Sequence, residues 1–205
     1  MCKTHKLLLS ATAALAGIAS AGCKTAAPTP SGFLSSYSNL QKVDSSTWRY
    51  VDTSRLGPDQ KFTIAPVSVM VKEYWGTTFG VDQKQMIGTM FRQKIAGALA
   101  GHYEVVGTPG PNTGEIRVAI TQAYRVGNAL ALGVEAEIVD SQSHRQLAAI
   151  RGIRIGPAEM GFRLGYHNPD ASGYMAAWWT WPSANELMQQ WADQIRGLIN
   201  EAHKR

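Results

Sequence analysis

The sequence predicts an α+β domain: an antiparallel sheet of about five strands with two helices packed on one face, in the order β-α-β-β-β-β-α. Three observations predict it. Residues 115–125 and 129–139 alternate apolar and polar side chains with a period of two, which gives a strand one buried and one wet face. A polar turn at 140–144 then returns the chain into a further strand, 146–155. An amphipathic helical pattern stands before this run of strands and another after it.

Taken in order, residues 62–69 are β-branched and apolar and form the first strand, with Pro66 marking an edge or a bulge because it donates no ladder hydrogen bond. Residues 82–101 form a helix. Asp82 and Gln85 have the spacing of a capping box, Ile87, Phe91, Ile95, Ala98 and Leu99 share a face, and Gly101 ends it. Residues 103–106 are a short strand closed by Pro109-Gly110-Pro111. In the next strands Ile116, Val118 and Ile120 oppose Arg117 and Thr121, while Leu130, Leu132, Val134, Ala136 and Ile138 oppose Glu135 and Glu137. The strand over 146–155 is irregular near Gly152. Residues 156–180 read as a glycine-dotted aromatic loop. Pro182-Ser183 opens the last helix, with Ser183 and Glu186 as a second capping box and Leu187, Trp191, Ile195, Leu198 and Ala202 as its apolar face.

The start of the chain is an address. Lys3 and Lys6 precede an apolar stretch through Ile18, and the chain then turns small at Ala19-Ser20-Ala21-Gly22 before Cys23. That order is a bacterial secretory leader, too short for a stable membrane span. Ser20-Ala21-Gly22-Cys23 resembles the lipobox of bacterial lipoproteins, in which the chain is cut before the cysteine and the thiol takes a diacylglycerol. The rival, cleavage after Ala19 or Ala21, would leave Cys23 as a lone thiol in an oxidising compartment, since Cys2 departs with the leader. The expected organisation is therefore a leader at 1–22, a lipidated Cys23 with a Pro-rich tether through residue 32, and a periplasmic domain over 33–205. Lys24, where an aspartate would stand in an inner-membrane lipoprotein, resembles the sorting signal for the outer membrane.

The composition narrows function by exclusion. With 44% hydrophobic and 17% charged residues, the chain is neither collagen-like nor wholly disordered. The net charge of +5 falls to +3 without Lys3 and Lys6. The remaining basic residues are scattered, and strand alternation puts Arg151 and Arg154 on opposite faces, so no nucleic-acid footprint forms.

Several segments resemble domain-of-unknown-function family 3313, a group of bacterial lipoproteins. Ser31-Gly32-Phe33-Leu34-Ser35-Ser36-Tyr37-Ser38-Asn39-Leu40 is similar to its opening, and Arg49-Tyr50-Val51-Asp52 to the segment that follows. Gly110-Pro111 before Ile116-Arg117-Val118-Ala119-Ile120-Thr121, the strand Glu135-Ala136-Glu137-Ile138-Val139-Asp140, and Trp191-Ala192 resemble later pieces in the same order. The resemblance spans residues 31–200. It implies an envelope location and a shared fold, and brings no biochemical activity with it.

No catalytic, cofactor or metal site is expected. The histidines, His5, His102, His144, His167 and His203, lack paired-ligand spacing, and His167 with Asp170 is a loop pair. Glu135 and Glu137 share a strand face and could resemble a glycosidase pair, but fit the wet side of an amphipathic strand better. Two site expectations remain: lipidation at Cys23, and a possible binding platform at Trp178, Trp179 and Trp181, whose alternative role is to pack against the sheet. The function that follows is a non-enzymatic outer-membrane lipoprotein facing the periplasm, structural or adaptor-like, with an unidentified envelope protein as partner. The alternative is a small-ligand or glycan binder using the aromatic loop, and an envelope hydrolase ranks below both.

Overall fold

The computed structural model describes residues 29–71, 73–74, 77–127, 129–158 and 182–204. Three long strands are its backbone: β8 (Thr113–Val126), β9 (Ala129–Asp140) and β10 (Gln146–Ala158). They pair antiparallel as a meander, Val118 opposite Ala136 and Ala136 opposite Ile150. Upstream lie β1 (Gln41–Lys42), β2 (Thr47–Val51), the single-turn α1 (Thr53–Leu56), β3 (Lys61–Ile64) and β4 (Ser68–Val69). A small hairpin follows, β5 (Glu73–Tyr74) and β6 (Thr77–Thr78), then α2 (Val81–Leu99) and β7 (Glu104–Val105). The last helix, α3, is Pro182–His203. The main sheet runs β1-β2-β10-β9-β8-β3-β7, with β4 also on β8.

The α+β class and the helices before and after the meander match the sequence reading, while the single-turn α1 is a third helix beyond the two it predicts. The sheet differs from it in three ways. It has eight strands among the described residues rather than about five, because β1 and β2 extend the β10 edge and residues 62–69 divide in two. It is mostly rather than wholly antiparallel, since β3 pairs parallel with both β7 and β8, and β4 parallel with β8. A parallel neighbour needs a long crossover, and α2 supplies it between β3 and β7. Finally, residues 62–69 form two strands, since Pro66 interrupts the ladder between β3 and β4. Irregularity in β10 falls at Gln146/Ala148 and Ile155/Ala158, while Gly152 keeps register with Val134.

Both long helices cover one face of the sheet. Ile87, Phe91, Ile95 and Leu99 of α2 pack with Leu187, Trp191, Ile195 and Leu198 of α3 over Ile116, Val118, Val134, Ala136, Ile138 and Ile150. Trp191 is fully buried and its indole N–H donates to the Leu132 carbonyl at 3.3 Å. The caps are displaced from their sequence positions. Gln83, not Gln85, turns back to accept from the Gly80 N–H at 2.9 Å, so α2 begins at Val81. Pro182 takes the first turn of α3, where its missing N–H costs nothing, and Ser183 is already inside the helix. Gly101 ends α2 with φ +77°, as a left-handed terminator does. Arg49 of β2 pairs with Glu201 of α3, tying the sheet's edge to the helix layer. No helix among the described residues is long and apolar enough to cross a membrane.

Candidate functional site

The sheet's other face carries the polar halves of the alternating strands. Register sets Arg117 beside Glu137 and Ala149 in one row, and Ala119 beside Glu135 and Arg151 in the next, with Trp48 of β2 beyond Arg151. Glu135 and Glu137 are 3% and 0% exposed. This overturns the expectation of a wet face. Alternation assigned both residues to the correct side, but residues 31–38 lie across that side and exclude water.

Short hydroxyl side chains hold this segment down. Ser31 donates its N–H and its hydroxyl to Glu135, at 3.0 and 2.7 Å. Ser35 does the same to Glu137, at 2.8 and 2.5 Å. The Tyr37 hydroxyl donates to Glu135 at 2.5 Å and also accepts from the Gly32 and Leu34 N–H groups, closing the segment on itself. Gln146 donates its amide to Glu137 and to the Ser36 carbonyl. Buried carboxylates need partners of this kind, because burial of an unpaired charge is prohibitive. Arg117 completes the set, 2.9 Å from the other oxygen of Glu137, with its guanidinium over the Phe33 ring. Arg151 is likewise buried rather than solvated, its guanidinium 4.9 Å from the Trp48 ring and 5.8 Å from that of Tyr37. Arg154 points to the helix side, over Trp191, so the two arginines do occupy opposite faces.

Chemically this is a clasp. Both carboxylates accept from backbone and hydroxyl donors of residues 31–37. Ser31 and Gly32, read from sequence as tether, are part of the clasp. Nothing in composition or periodicity pointed to it. The usable signal was the hydroxyl-rich run Ser31, Ser35, Ser36, Tyr37, Ser38 in a chain with two glutamates on one strand face.

A second polar locus lies where α1 meets the end of α3. A cavity of about 290 Å³ there is lined by Ser54, Gly57, Pro58, Ala202 and His203. The His203 ring nitrogens sit 2.7 Å from the Ile199 carbonyl and 2.9 Å from that of Asp59. Burial, with a smaller push from the charge of Asp140, raises the Asp59 carboxyl to about 6, against the pull of His203. His144 takes φ +55° in the β9–β10 turn, where Asp140 accepts from Ser143 and Gln142; these bonds, the Ser143 N–H first, hold the Asp140 carboxyl below its ordinary value. His102 follows the end of α2. Among the described residues no group of three or more His, Cys, Asp or Glu could hold a metal ion. Cys23, Trp178, Trp179, Trp181, His167 and Asp170 lie outside the described residues.

No curated protein matches the chain. Among solved structures it is similar to PelC from Paraburkholderia phytofirmans, crystallised as a dodecamer, at 10% identity and TM-score 0.45 over 75% of this chain and 95% of that one. It is similar to protein CT253 from Chlamydia trachomatis at 10% identity and TM-score 0.42, over 70% and 99%. Lipoprotein GNA1162 from Neisseria meningitidis gives 14% identity and TM-score 0.32, over 67% and 96%. The model of the DUF3313 family, proteins of unknown function, matches residues 29–132, from the clasp segment to the start of β9, and this chain belongs to that family.

Proposed function

We propose that this protein is a lipid-anchored envelope lipoprotein whose domain acts as a structural or adaptor module through protein–protein contacts, at the periplasmic side of the outer membrane. One observation carries the reading: Cys23 ends a charged, apolar, then small-residue leader in the lipobox-like run Ser20-Ala21-Gly22-Cys23. The clasp supports it. A segment that begins eight residues after Cys23 is pinned to buried carboxylates, so a membrane anchor would pull on the sheet itself rather than on a loose end. Glu135 and Glu137 are occupied in holding the chain, which favours a non-enzymatic role.

Fractionation tests the anchor. Cys23→Ala is expected to move the protein from the membrane fraction to the soluble one, and a variant that still sediments after high-salt washing would refute the reading. Lys24→Asp is expected to shift the protein toward the inner membrane; an unchanged distribution removes the outer-membrane assignment alone.

A further inference from the structure

Beyond the clasp, β8, β9 and β10 continue, among the described residues, as a three-stranded arm. β2 pairs with β10 only as far as Gly152, and β4 with β8 only as far as Ile120. On the arm's clasp-side face, register sets Tyr124, Ala131 and Ile155 in one row, and Val126, Ala129 and Ala158 in the next. Tyr124, Val126 and Ile155 are 38%, 44% and 49% exposed. Three large apolar side chains are thus gathered at one end of one face, where single scattered ones would need no explanation. Residues 121–126, 129–133 and 152–158 include Arg125 and Arg154 and no Asp or Glu.

The path of the clasp indicates what this end meets. Going backward from Ser35 to Ser31, the chain moves from Glu137 to Glu135, which is toward Gly133 and Ala131. It therefore leaves the domain heading for the arm. Ala131 is four residues beyond Glu135 and Ala129 six, or roughly 13 and 20 Å along the strand. The chain from Cys23 to Ser31 spans at most roughly 28 Å.

We infer that the apolar face of the arm, Tyr124, Val126 and Ile155, rests on the lipid surface as a second membrane contact beside the acylated Cys23. The inference depends on the lipoprotein reading. An aromatic residue with aliphatic neighbours suits the headgroup boundary, and a carboxylate-free arm is not repelled by anionic lipids. One acyl-anchored tether leaves a domain free to turn; the second contact fixes which side faces the periplasm.

The test uses full-length protein purified from membranes, carrying Val126→Cys or Ile155→Cys, with Gln142→Cys at the opposite end of the β9–β10 hairpin as control. Each thiol is labelled with an environment-sensitive fluorophore. The protein is then reconstituted into vesicles of phosphatidylethanolamine and phosphatidylglycerol, three to one, doped with headgroup-nitroxide lipid. Positions 126 and 155 are expected to be quenched by the nitroxide lipid at least twofold more than position 142, and by iodide less. Equal lipid quenching at all three positions overturns the inference. Shielding of 126 and 155 from both quenchers also overturns it, because the face is then covered by this chain or by a second copy. Wild-type protein tests the anchor separately: an acylated Cys23 takes no label, and labelling there ends the lipoprotein reading whatever the arm does.

Discussion

Glu137 shows how much one side chain organises. Its carboxylate accepts from the Ser35 N–H and hydroxyl and from Gln146, and it pairs with Arg117. Hydrogen bonds to a charged partner contribute about 1.5–3 kcal/mol each, less than additively. Glu137→Ala is therefore expected to lower unfolding stability by about 2–4 kcal/mol in a urea titration, and a loss under about 0.5 kcal/mol would mean the carboxylate does not hold the segment. Asp59 acts in the opposite sense. Its folded pKa, about 6, lies above the ordinary carboxylate value, so the folded state binds the proton more tightly than the unfolded one. The stability this gives is fully present below about pH 4 and is lost as pH rises through about 6. Asp59→Asn is expected to flatten that fall between pH 4 and 6, measured as unfolding free energy against pH. An identical slope in the variant would show that Asp59 is not its source.

At the scale of the element, α2 carries two glycines that call for opposite outcomes. A Cβ on Gly97 would meet nothing within 4 Å, so Gly97→Ala should gain about 0.5–1 kcal/mol from backbone entropy alone. A Cβ on Gly88 would stand 2.8 Å from the Val67 carbonyl oxygen, which belongs to backbone and cannot swing aside. Gly88→Ala should therefore cost about 1–3 kcal/mol despite the better helix propensity of alanine. Thermal melts of the two variants on either side of wild type are the expected result; a shift of both in the same direction would show that close packing against Val67 does not decide the sign. The same close approach explains Gly152, where a Cβ would meet the Ser46 carbonyl oxygen at 2.6 Å and the Trp191 ring at 3.2 Å.

At the scale of the molecule, the middle of the sheet is covered on both faces among the described residues, by helices on one and by residues 31–38 over Glu135 and Glu137 on the other. Trp191 joins the helix layer to the sheet, buried among apolar side chains and bonded to the Leu132 carbonyl. Trp191→Ala removes that packing and leaves a cavity, for an expected loss of about 3–5 kcal/mol in equilibrium unfolding. A loss under about 0.5 kcal/mol would match a surface position and contradict the packing of α3. The clasp also gives the opening segment of the family resemblance a physical role: Ser31, Ser35 and Tyr37 serve the two glutamates of β9, about a hundred residues later.

The local patterns were legible because they follow from one element's own period. Ile87, Phe91, Ile95 and Leu99, or Leu187, Trp191, Ile195 and Leu198, declare a helix face wherever the helix packs, and Val134, Ala136 and Ile138 declare a strand face. The leader-like order before Cys23 is read from residue order alone and stays an expectation, since it lies outside the described residues. What the sequence did not disclose was every contact between distant segments. Alternation marks Glu135 and Glu137 as the polar side of a strand but cannot say whether water or residues 31–38 will meet them. Two-residue strands such as β1 and β5 are too short to show a period, and the parallel pairing of β3 with β8 depends on where α2 returns the chain. Those choices are made by tertiary packing, because a buried carboxylate or an unpaired strand edge is stabilised only by a partner that local sequence does not contain.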